Sequence, residues 1–266
     1  MTLIAAWRCA QGIVLHADSQ ETVSQWDGTA WTDYRKTVQK IQPQSMGTYQ
    51  VVIAGSGNAG LILSFIEKLR RRLSGDPSER LTEFVTAFET ELGLFYGSDV
   101  ALCTDKDKDF EFIVSAFSPR TLEYEAWITQ NVRLCPLSDF KLSGVEEALY
   151  KEVANHFYEP GMTIARAVLA GIYLLLLAEG TSNYVRSPFS IVIVRETGMH
   201  MEPDDYVREM AGRLKDYEQR VDQLFLACAD TSVSVGDLEA LLKEFSETAL
   251  ELHRSHIDSA FLEGTN

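Results

Sequence analysis

Apolar runs with strand-like and helix-like spacing follow one another in separate groups along the chain. Short apolar or alternating runs bounded by turn residues predict strands at residues 3–9, 13–17, 36–42, 49–54, 100–103, 110–117, 122–129 and 189–194. Apolar positions three and four residues apart predict helices over 61–73, 81–95, 145–157 and 163–179. A polar and aromatic loop is expected over 18–33. Grouped strands and helices of this kind favour an α+β fold, with two stacked sheets between helical layers.

The pattern changes close to residue 202. No strand pattern follows, and helical periodicity covers residues 206–229 and 235–253. Residues 202–266 contain 15 acidic and 6 basic side chains, which is a net charge of −9 out of −15 for the whole chain. The sequence therefore predicts one domain over residues 1–201 and an acidic helical C-terminal extension over residues 202–266.

Composition and charge narrow the classes of protein that the chain can belong to. Apolar residues make up 45% of the 266 residues, which is enough for a substantial core. The net charge of −15 argues against nucleic acid or an anionic membrane as partner. The apolar run over 167–178 is shorter than the roughly 20 residues of a membrane span. The four cysteines form no CxxC motif, so we expect a soluble protein in a reducing, cytoplasmic compartment.

One glycine-rich string resembles a phosphate-binding loop. Gly55-Ser56-Gly57-Asn58-Ala59-Gly60 follows a predicted strand and precedes a predicted helix, as in dinucleotide-binding units. Such a unit also needs a second parallel strand that ends in an acidic residue about 20 residues later. That window contains the basic helix end Arg70-Arg71-Arg72, and the preceding strands look like hairpins. A tight strand-to-helix turn is the better interpretation, and nucleotide binding stays as an alternative.

The start of the chain offers a candidate nucleophile. Met1 precedes the small residue Thr2, so removal of Met1 would leave a threonine with a free α-amine. A threonine whose own amine serves as general base is a known activated nucleophile. A hairpin folded about Ala10-Gln11-Gly12 brings Thr2 level with residues 18–20, and cross-strand neighbours lie about 5–8 Å apart. Asp18 is therefore predicted to lie beside Thr2.

Four sequence blocks occur in an order that resembles a known family. They are Thr2-Leu3-Ile4-Ala5-Ala6, Gly12-Ile13-Val14-Leu15-His16-Ala17-Asp18-Ser19, Tyr34-Arg35-Lys36 and Val51-Val52-Ile53-Ala54-Gly55-Ser56-Gly57-Asn58. Together they resemble the proteasome β-subunit family of N-terminal-nucleophile hydrolases, and most of all its bacterial Anbu branch. The resemblance covers roughly residues 2–200. It implies a four-layer αββα sandwich, to which the helical extension is added.

The resemblance also implies a threonine peptidase or amide hydrolase, with a peptide, a protein or a small amide as substrate. By position, Thr2 matches the nucleophile, Asp18 the acidic partner and Gly55 the oxyanion N–H donor. Lys36 is preferred as the active-site lysine, with Lys40 as rival. Both lysines fall on one face of the same predicted strand, about 13 Å apart. The mechanism requires neither metal nor organic cofactor.

Supporting residues are less well matched to the family pattern. Ser143 matches a supporting serine. Where the family typically has an Asp and a Ser that brace the active site, this chain has Asn183 and either Arg186 or Ser187. This departure supports an alternative function, a catalytically inactive proteasome-like structural or assembly protein.

The resemblance implies a homo-oligomer, either a ring or a spiral, and leaves an ATP-dependent unfoldase partner unknown. The two predicted helices over 61–73 and 81–95 offer an independent argument for self-association. Their apolar residues, including Phe88 and Leu92, are more numerous than one buried stripe needs. We therefore expect these residues to lie at a subunit interface.

Overall fold

The computed structural model of the chain describes residues 2–26, 29, 31–75, 78–104, 108–144 and 147–257, with the backbone alone for 22–26 and 31–35. The strands are β1 (Leu3–Cys9), β2 (Gly12–Ala17), β3 (Gln20–Trp26), β4 (Trp31–Thr37), β5 (Gln44–Met46), β6 (Tyr49–Gly57), β7 (Phe110–Phe117), β8 (Tyr124–Gln130), β9 (Arg133–Pro136), β10 (Phe140–Gly144), β11 (Ser190–Arg195) and β12 (Gly198–Met201). The helices are α1 (Ala59–Leu73), α2 (Leu81–Ser98), α3 (Glu147–Phe157), α4 (Ile164–Thr181), α5 (Asp204–Ala229) and α6 (Val235–Ile257).

Two antiparallel sheets form the centre of the first part of the chain. One has the strand order β10-β1-β2-β11-β12, and the other has the order β5-β6-β7-β8-β9. Side chains of alternate residues point to opposite faces of a strand. One face of each sheet contributes to a shared apolar cluster, to which Ile4 and Leu15 belong from the first sheet and Val52 and Ile113 from the second. The two sheets therefore pack face to face.

Helices α1 and α2 cover the other face of the second sheet. Odd-numbered residues of β6, such as Val51 and Ile53, share a cluster with apolar residues of both helices. Phe65 of α1 makes ring contacts with Phe88 of α2 and Phe112 of β7, at centroid distances of 5.0 Å in both cases. Aromatic contacts of this kind, together with the apolar area that they bury, stabilise the helix layer on the sheet.

This packing overturns the argument that placed Phe88 and Leu92 at a subunit interface. Both side chains are fully buried within the chain itself. The two helices pack against each other as well as on the sheet, so they bury more of their surface than the single stripe assumed from the sequence. Leu94 of α2, by contrast, is 59% exposed.

The stretch between β2 and β6 also differs from the prediction. The expected loop over 18–33 contains strand β3 and the start of β4, which pair as an antiparallel two-stranded sheet. Strand β4 ends at Thr37, so the predicted strand over 36–42 was wrong. The mixed polar sequence of β3 gave no alternating apolar pattern from which a strand is predicted. Strand β10, which pairs with β1 along the first sheet, was also not predicted, because only Phe140 and Leu142 provide apolar positions in its five residues.

The contacts divide the chain into two compact units, Met1–Glu202 and Pro203–Asn266. Within the second unit, α5 and α6 form a helical hairpin. Tyr217 packs on Phe245 with ring centroids 5.4 Å apart, and Arg220 pairs with Glu244 at 2.6 Å. Both contacts join the two helices, so the hairpin has a stabilising interface of its own.

Helix α4 is the one described helix that is long and apolar enough, by length and composition, to cross a membrane. More than half of its residues are buried inside the structure. The core helix of a globular domain has the same length and composition. Thr163 caps its N-terminus, because its hydroxyl accepts a hydrogen bond from the Arg166 N–H at 3.2 Å. The helix continues through Gly180 and ends at Thr181.

A buried histidine joins the first sheet to α4. The His16 Nε2 atom of β2 lies 3.1 Å from the Val168 carbonyl oxygen of α4. The ring also lies against Gly171, where a Cβ would come within 2.3 Å of it. Full burial lowers the pKa of His16 to about 4 and outweighs the opposing effect of the hydrogen bond. The neutral imidazole is therefore part of the packed interior.

This burial predicts a loss of stability in acid. The folded-state pKa of about 4 lies below the ordinary 6.5, so the unfolded chain binds the proton more strongly as the pH falls. From this residue alone we expect the free energy of unfolding to decrease by about 3 kcal/mol between pH 7 and pH 4. His16→Gln keeps an N–H donor near the Nε2 position but has no such titration.

Urea unfolding of both proteins at the two pH values measures this contribution. The stability difference between the wild type and His16→Gln should shift by about 3 kcal/mol in favour of the variant on going to pH 4. An unchanged difference would show that His16 does not titrate in this range.

Candidate functional site

The buried carboxylate of Asp18 accepts hydrogen bonds from several polar groups near the start of β1. Its side chain is 0% exposed. The Oδ1 atom accepts hydrogen bonds from the Thr2 hydroxyl at 2.7 Å and from the Leu3 backbone N–H at 2.9 Å. The Oδ2 atom accepts one from the Gln20 backbone N–H at 3.0 Å. The structure therefore brings Thr2 and Asp18 together, as the hairpin register predicted.

Lys40 provides the positive charge beside Asp18. Its Nζ atom lies 2.8 Å from both carboxylate oxygens, and its side chain is only 10% exposed. Burial lowers the pKa of the Lys40 ammonium, and the neighbouring Asp18 carboxylate opposes that shift. The next residue, Ile41, is fully buried in the cluster between the sheets. This buried neighbour anchors the segment from which Lys40 reaches Asp18.

Lys36 lies elsewhere, so the preference for Lys36 over Lys40 is corrected by the geometry. Its Nζ atom pairs with Glu21 at 3.1 Å, and its side chain is 49% exposed. Because β4 ends at Thr37, Lys36 and Lys40 do not belong to one strand and do not share a face through strand alternation. The lysine followed by an aliphatic residue is the one that contacts Asp18.

Gly144 fixes the backbone of Thr2 from the other side. Strand β10 pairs antiparallel with β1, with Gly144 opposite Leu3 and Ser143 opposite Ile4. Gly144 has φ +116, and a Cβ at this position would lie 1.8 Å from the Thr2 carbonyl oxygen. A larger residue therefore cannot occupy this position without displacing Thr2. Thr2 itself is only 6% exposed to solvent.

Two cavities meet at Thr2. A cleft of about 800 Å³ is lined on this side by Ser56, Gly57 and Ser143, and a smaller cavity of about 310 Å³ by Lys40, Gly55 and Gly57. The smaller cavity has an apolar side formed by residues Ile53, Ile62 and Ile66. Its ionic groups include the Glu21–Lys36 pair. A substrate side chain in this cavity would meet aliphatic carbon next to paired charges.

Gly55, the expected oxyanion donor, lines the smaller cavity together with Thr2. The Asn58 N–H donates to the Asp109 carbonyl oxygen, just before β7, at 3.1 Å, and hydrogen-bonding direction alternates along an antiparallel strand. The N–H groups of Gly55 and Gly57, at odd-numbered positions, are therefore expected to point away from β7. Gly57 lines both cavities and has φ +102, so it is a second candidate donor that the sequence did not identify.

Ser143 belongs to a hydrogen-bonded chain at the cleft. Its Oγ atom lies 2.6 Å from the Ser56 Oγ atom and donates to Glu111 Oε2 at 2.5 Å. Lys141 lies 3.3 Å from the other Glu111 oxygen and 2.9 Å from Glu147. Ser56 and Glu111 are direct neighbours on adjacent strands. Sequence reasoning missed Glu111, because an isolated glutamate on a strand resembles a solvated residue.

Asn183 and Ser187 are not brought to Thr2 by their side chains. Both residues are exposed. The Asn183 carbonyl oxygen accepts a hydrogen bond from the Gln20 side chain at 3.1 Å, and the Ser187 backbone N–H donates to Glu179 at 2.8 Å. The segment is therefore connected to the Asp18 region only through backbone atoms in the contacts described.

The glycine-rich string forms a strand-to-helix turn and not a dinucleotide-binding unit. The described neighbours of β6, which are β5 and β7, both run antiparallel to it. Asn58 caps α1, because its Oδ1 atom accepts hydrogen bonds from the Gly60 and Leu61 N–H groups at 3.0 and 3.2 Å. These N–H groups are the ones that a phosphate would otherwise bind. The nucleotide alternative therefore loses its structural basis.

Comparison with known proteins yields a match in fold only. No protein-family model matches the chain, and no curated protein sequence does so. The described sheets and helices define a proteasome-like fold. Anbu, an ancestral β-subunit, from Yersinia bercovieri has a TM-score of 0.64 at 14% identity, over 84% of this chain and 97% of its own. Anbu from Hyphomicrobium sp. strain MC1 has 0.63 at 14% identity, over 83% and 97%.

A third structure, the helical assembly of the Anbu complex from Pseudomonas aeruginosa, has a TM-score of 0.60 at 15% identity, over 82% of this chain and 96% of its own. The expected likeness to Anbu is thus confirmed at the level of the fold. Because 84% of the chain is more than the first unit contains, the likeness also extends into the α5–α6 unit.

The two lysines allow a matched test of the Asp18 site. Lys40→Met leaves the fully buried Asp18 carboxylate without its counter-charge, so we expect a loss of about 3–5 kcal/mol in the free energy of unfolding at pH 7. Lys36→Met removes an exposed ion pair and should cost no more than about 1 kcal/mol. Urea unfolding measures both. Equal effects of the two substitutions would contradict the assignment of Lys40 as the partner of Asp18.

Proposed function

We propose that the chain is a proteasome-like threonine peptidase or amide hydrolase with Thr2 as its nucleophile. The observation that carries this proposal is the Thr2 hydroxyl, held 2.7 Å from a buried Asp18 that is paired with Lys40, at the meeting point of two cavities. The proposal requires removal of Met1, which lies outside the described residues. Thr2 would then carry a free α-amine.

The chemistry follows from the groups around Thr2. Its Oγ atom attacks the substrate carbonyl carbon, and its α-amine accepts the hydroxyl proton. The Lys40 ammonium stabilises the developing alkoxide, while Asp18 keeps this ammonium charged and oriented. A backbone N–H of Gly55 or Gly57 stabilises the oxyanion. Water then hydrolyses the acyl-enzyme, with the amine again as base. The proposed mechanism uses no metal and no organic cofactor.

The finer features of the fold belong to the same proposal. Apolar packing between the sheets and of α1 and α2 on the second sheet, with α4 against β2, supports a four-layer αββα sandwich of the N-terminal-nucleophile type. All four cysteines are free, which agrees with a reducing, cytoplasmic location. The aliphatic side of the smaller cavity suits peptide or small amide substrates with an uncharged side chain there.

A second candidate function is that of a catalytically inactive assembly protein with the same fold. The exposure of Asn183 and Ser187, away from Thr2, favours it. In that case Met1 would be retained and Thr2 would only donate a structural hydrogen bond to Asp18. The two functions differ in the chemical state of the N-terminus, which intact mass measures directly.

The nucleophile can be tested with a pair of substitutions. Thr2→Ala should abolish amide hydrolysis and covalent labelling by threonine-directed electrophiles, because it removes the attacking oxygen. Thr2→Ser keeps a hydroxyl and should retain part of both activities. Lys40→Ala should also abolish hydrolysis, whereas Lys36→Ala should retain it. The readouts are cleavage of a peptide panel and the mass of the labelled N-terminal peptide.

Stability controls belong to the same experiment, because Lys40 also compensates a buried charge. Thermal unfolding must show that each variant is folded at the assay temperature. Wild-type protein that has lost Met1 and yet neither hydrolyses nor becomes labelled would leave the assembly function as the better proposal.

We also propose that the chain works as a homo-oligomer, in a ring or a spiral. The helical assembly described for Anbu from Pseudomonas aeruginosa supports self-association, while the number of subunits and an unfoldase partner stay open. On this chain, the exposed Leu94 on the outer side of α2 offers an apolar contact that is not needed for the core.

Light scattering at micromolar concentration tests this proposal. We expect a particle several times heavier than the 29.8 kDa chain. Leu94→Glu should weaken association, because it places a charge in an apolar contact. The matched control, Leu122→Glu, changes a leucine that is also 59% exposed but lies in the turn between β7 and β8. A monodisperse 30 kDa species would contradict the oligomer and favour a stand-alone hydrolase.

A further inference from the structure

We propose that Glu111 is a positioning residue, which acts through Ser143 to hold the α-amine of Thr2 in place and to increase its basicity. This inference rests on the proposed function, because it concerns the amine that becomes free when Met1 is removed. It adds a residue from another strand to the site that Thr2, Asp18 and Lys40 form.

The location of Glu111 supports this role. Residues Val52 and Ala54 of β6 and Ile113 of β7 face the cluster between the sheets. Two residues further along each strand, Ser56 and Glu111 continue the same faces and are cross-strand neighbours. The apolar layer between the sheets thus ends in polar groups at the cleft. Such an arrangement places a carboxylate where an apolar core would otherwise meet solvent.

Thr2 and Ser143 face the same layer from the first sheet. Thr2 precedes Ile4 by two residues, and Ile4 points into the cluster between the sheets. Ser143 is the cross-strand partner of Ile4 and therefore shares its face. Both residues line the 800 Å³ cleft, and Gly144 lies directly against the Thr2 backbone. Ser143 is thus the hydroxyl next to the N-terminal end of β1.

The directions of the hydrogen bonds follow from the groups involved. A hydroxyl has one proton to donate, and Ser143 donates it to Glu111 Oε2 at 2.5 Å. The 2.6 Å contact with Ser56 must then be donated by Ser56. Ser143 keeps one further acceptor site. Its oxygen can therefore accept a hydrogen bond from an N–H of the Thr2 ammonium, but it has no proton left to donate to a neutral amine.

This polarity favours the protonated amine. When the amine takes the proton from the Thr2 hydroxyl, the new ammonium finds an oriented acceptor whose own proton is held by a carboxylate. Hydrogen bonds in which one member is ionised are stronger than neutral ones, so the chain from Glu111 stabilises the ammonium more than the amine. The pKa of the Thr2 amine should therefore be raised by Glu111, and the amine should be a better base.

Other charged groups lie around the same cleft, and their effects on the pKa of the Thr2 amine must be distinguished from the effect of Glu111. Asp18 contacts Thr2 from the end of β2, and Lys40, in the segment after β4, contacts Asp18. Lys141 pairs with both Glu111 and Glu147. Lys108 and Asp109 also line the cleft. Within the contacts described, Glu111 is the carboxylate that accepts the Ser143 proton.

Glu147 provides a matched control. It contacts the same Lys141 and lines the same cleft, but it has no described contact with Ser143. Glu111→Gln and Glu147→Gln therefore remove equal charge from one cluster. Only Glu111→Gln removes the charge from the carboxylate that orients the Ser143 hydroxyl. A general electrostatic effect of the cleft would respond to both substitutions.

The experiment measures the pKa of the Thr2 amine without depending on catalysis. Full-length chain with Thr2 as its first residue, released from a cleavable N-terminal fusion, is acylated by a small anhydride between pH 5 and pH 10. The extent of N-terminal labelling is read by mass spectrometry. The proteins compared are the wild type, Glu111→Gln, Glu147→Gln, Ser143→Ala and the Glu111→Gln/Ser143→Ala double variant. The pH dependence of kcat/KM is measured on the same samples.

We expect Glu111→Gln to lower the amine pKa by about one unit, because a negative charge that favours the ammonium is lost. Ser143→Ala should cause a similar decrease, and the double variant should show no further one. Glu147→Gln should change the amine pKa by much less. In catalysis, Glu111→Gln should move the acid limb of kcat/KM to lower pH and reduce the plateau roughly threefold, as a weaker base requires.

Two results would overturn the inference. One is an amine pKa that Glu111→Gln leaves unchanged, and the other is an equal shift from Glu147→Gln. Both results can be measured on a protein that has no hydrolytic activity. Failure of the proposed function is a different result, namely a wild type that neither hydrolyses substrates nor is labelled by electrophiles. An additive effect in the double variant would also overturn the route through Ser143.

Discussion

The carboxylate of Asp18, buried without exposure to solvent, is the constraint on which the site depends. A buried charge is costly unless it is paired and hydrogen-bonded, and here it has a lysine, a hydroxyl and two backbone N–H groups as partners. These partners come from the start of β1, the start of β3 and the segment after β4. Satisfying one carboxylate therefore fixes three separate parts of the chain relative to one another, with Thr2 among them.

The site lies where the layer between the two sheets ends. Along β6, the residues that face the layer change from Val52 and Ala54 to Ser56, and along β7 from Ile113 to Glu111. Polar groups at this border are shielded by the core on one side and open to a cleft on the other. Hydrogen bonds in such a place are better oriented than those of a solvated surface, which is what a nucleophile and its base require.

Fold and chemistry have separate support in this protein. The likeness to Anbu structures, at 14–15% identity, concerns the backbone arrangement, and one fold hosts both active and inactive proteins. The case for hydrolysis rests on particular side chains, above all Thr2, Asp18 and Lys40. The exposed Asn183 and Ser187 do not add to it. The chemistry is thus argued from the local geometry, whereas the comparisons support the scaffold that holds it.

The sequence by itself determined the features that local patterns control. These features include the helices and the apolar strands β1 and β2. The short hairpin at Ala10-Gln11 places Thr2 beside Asp18, because a tight turn sets the register of the two strands. Only the tertiary structure decided which lysine joins them. Lys36 lies within β4, whereas Lys40 lies after the end of this strand. The side chain of Ile41, buried between the sheets, anchors the segment that contains Lys40. Glu111 likewise acquires its place through pairing between distant strands, which no local pattern encodes.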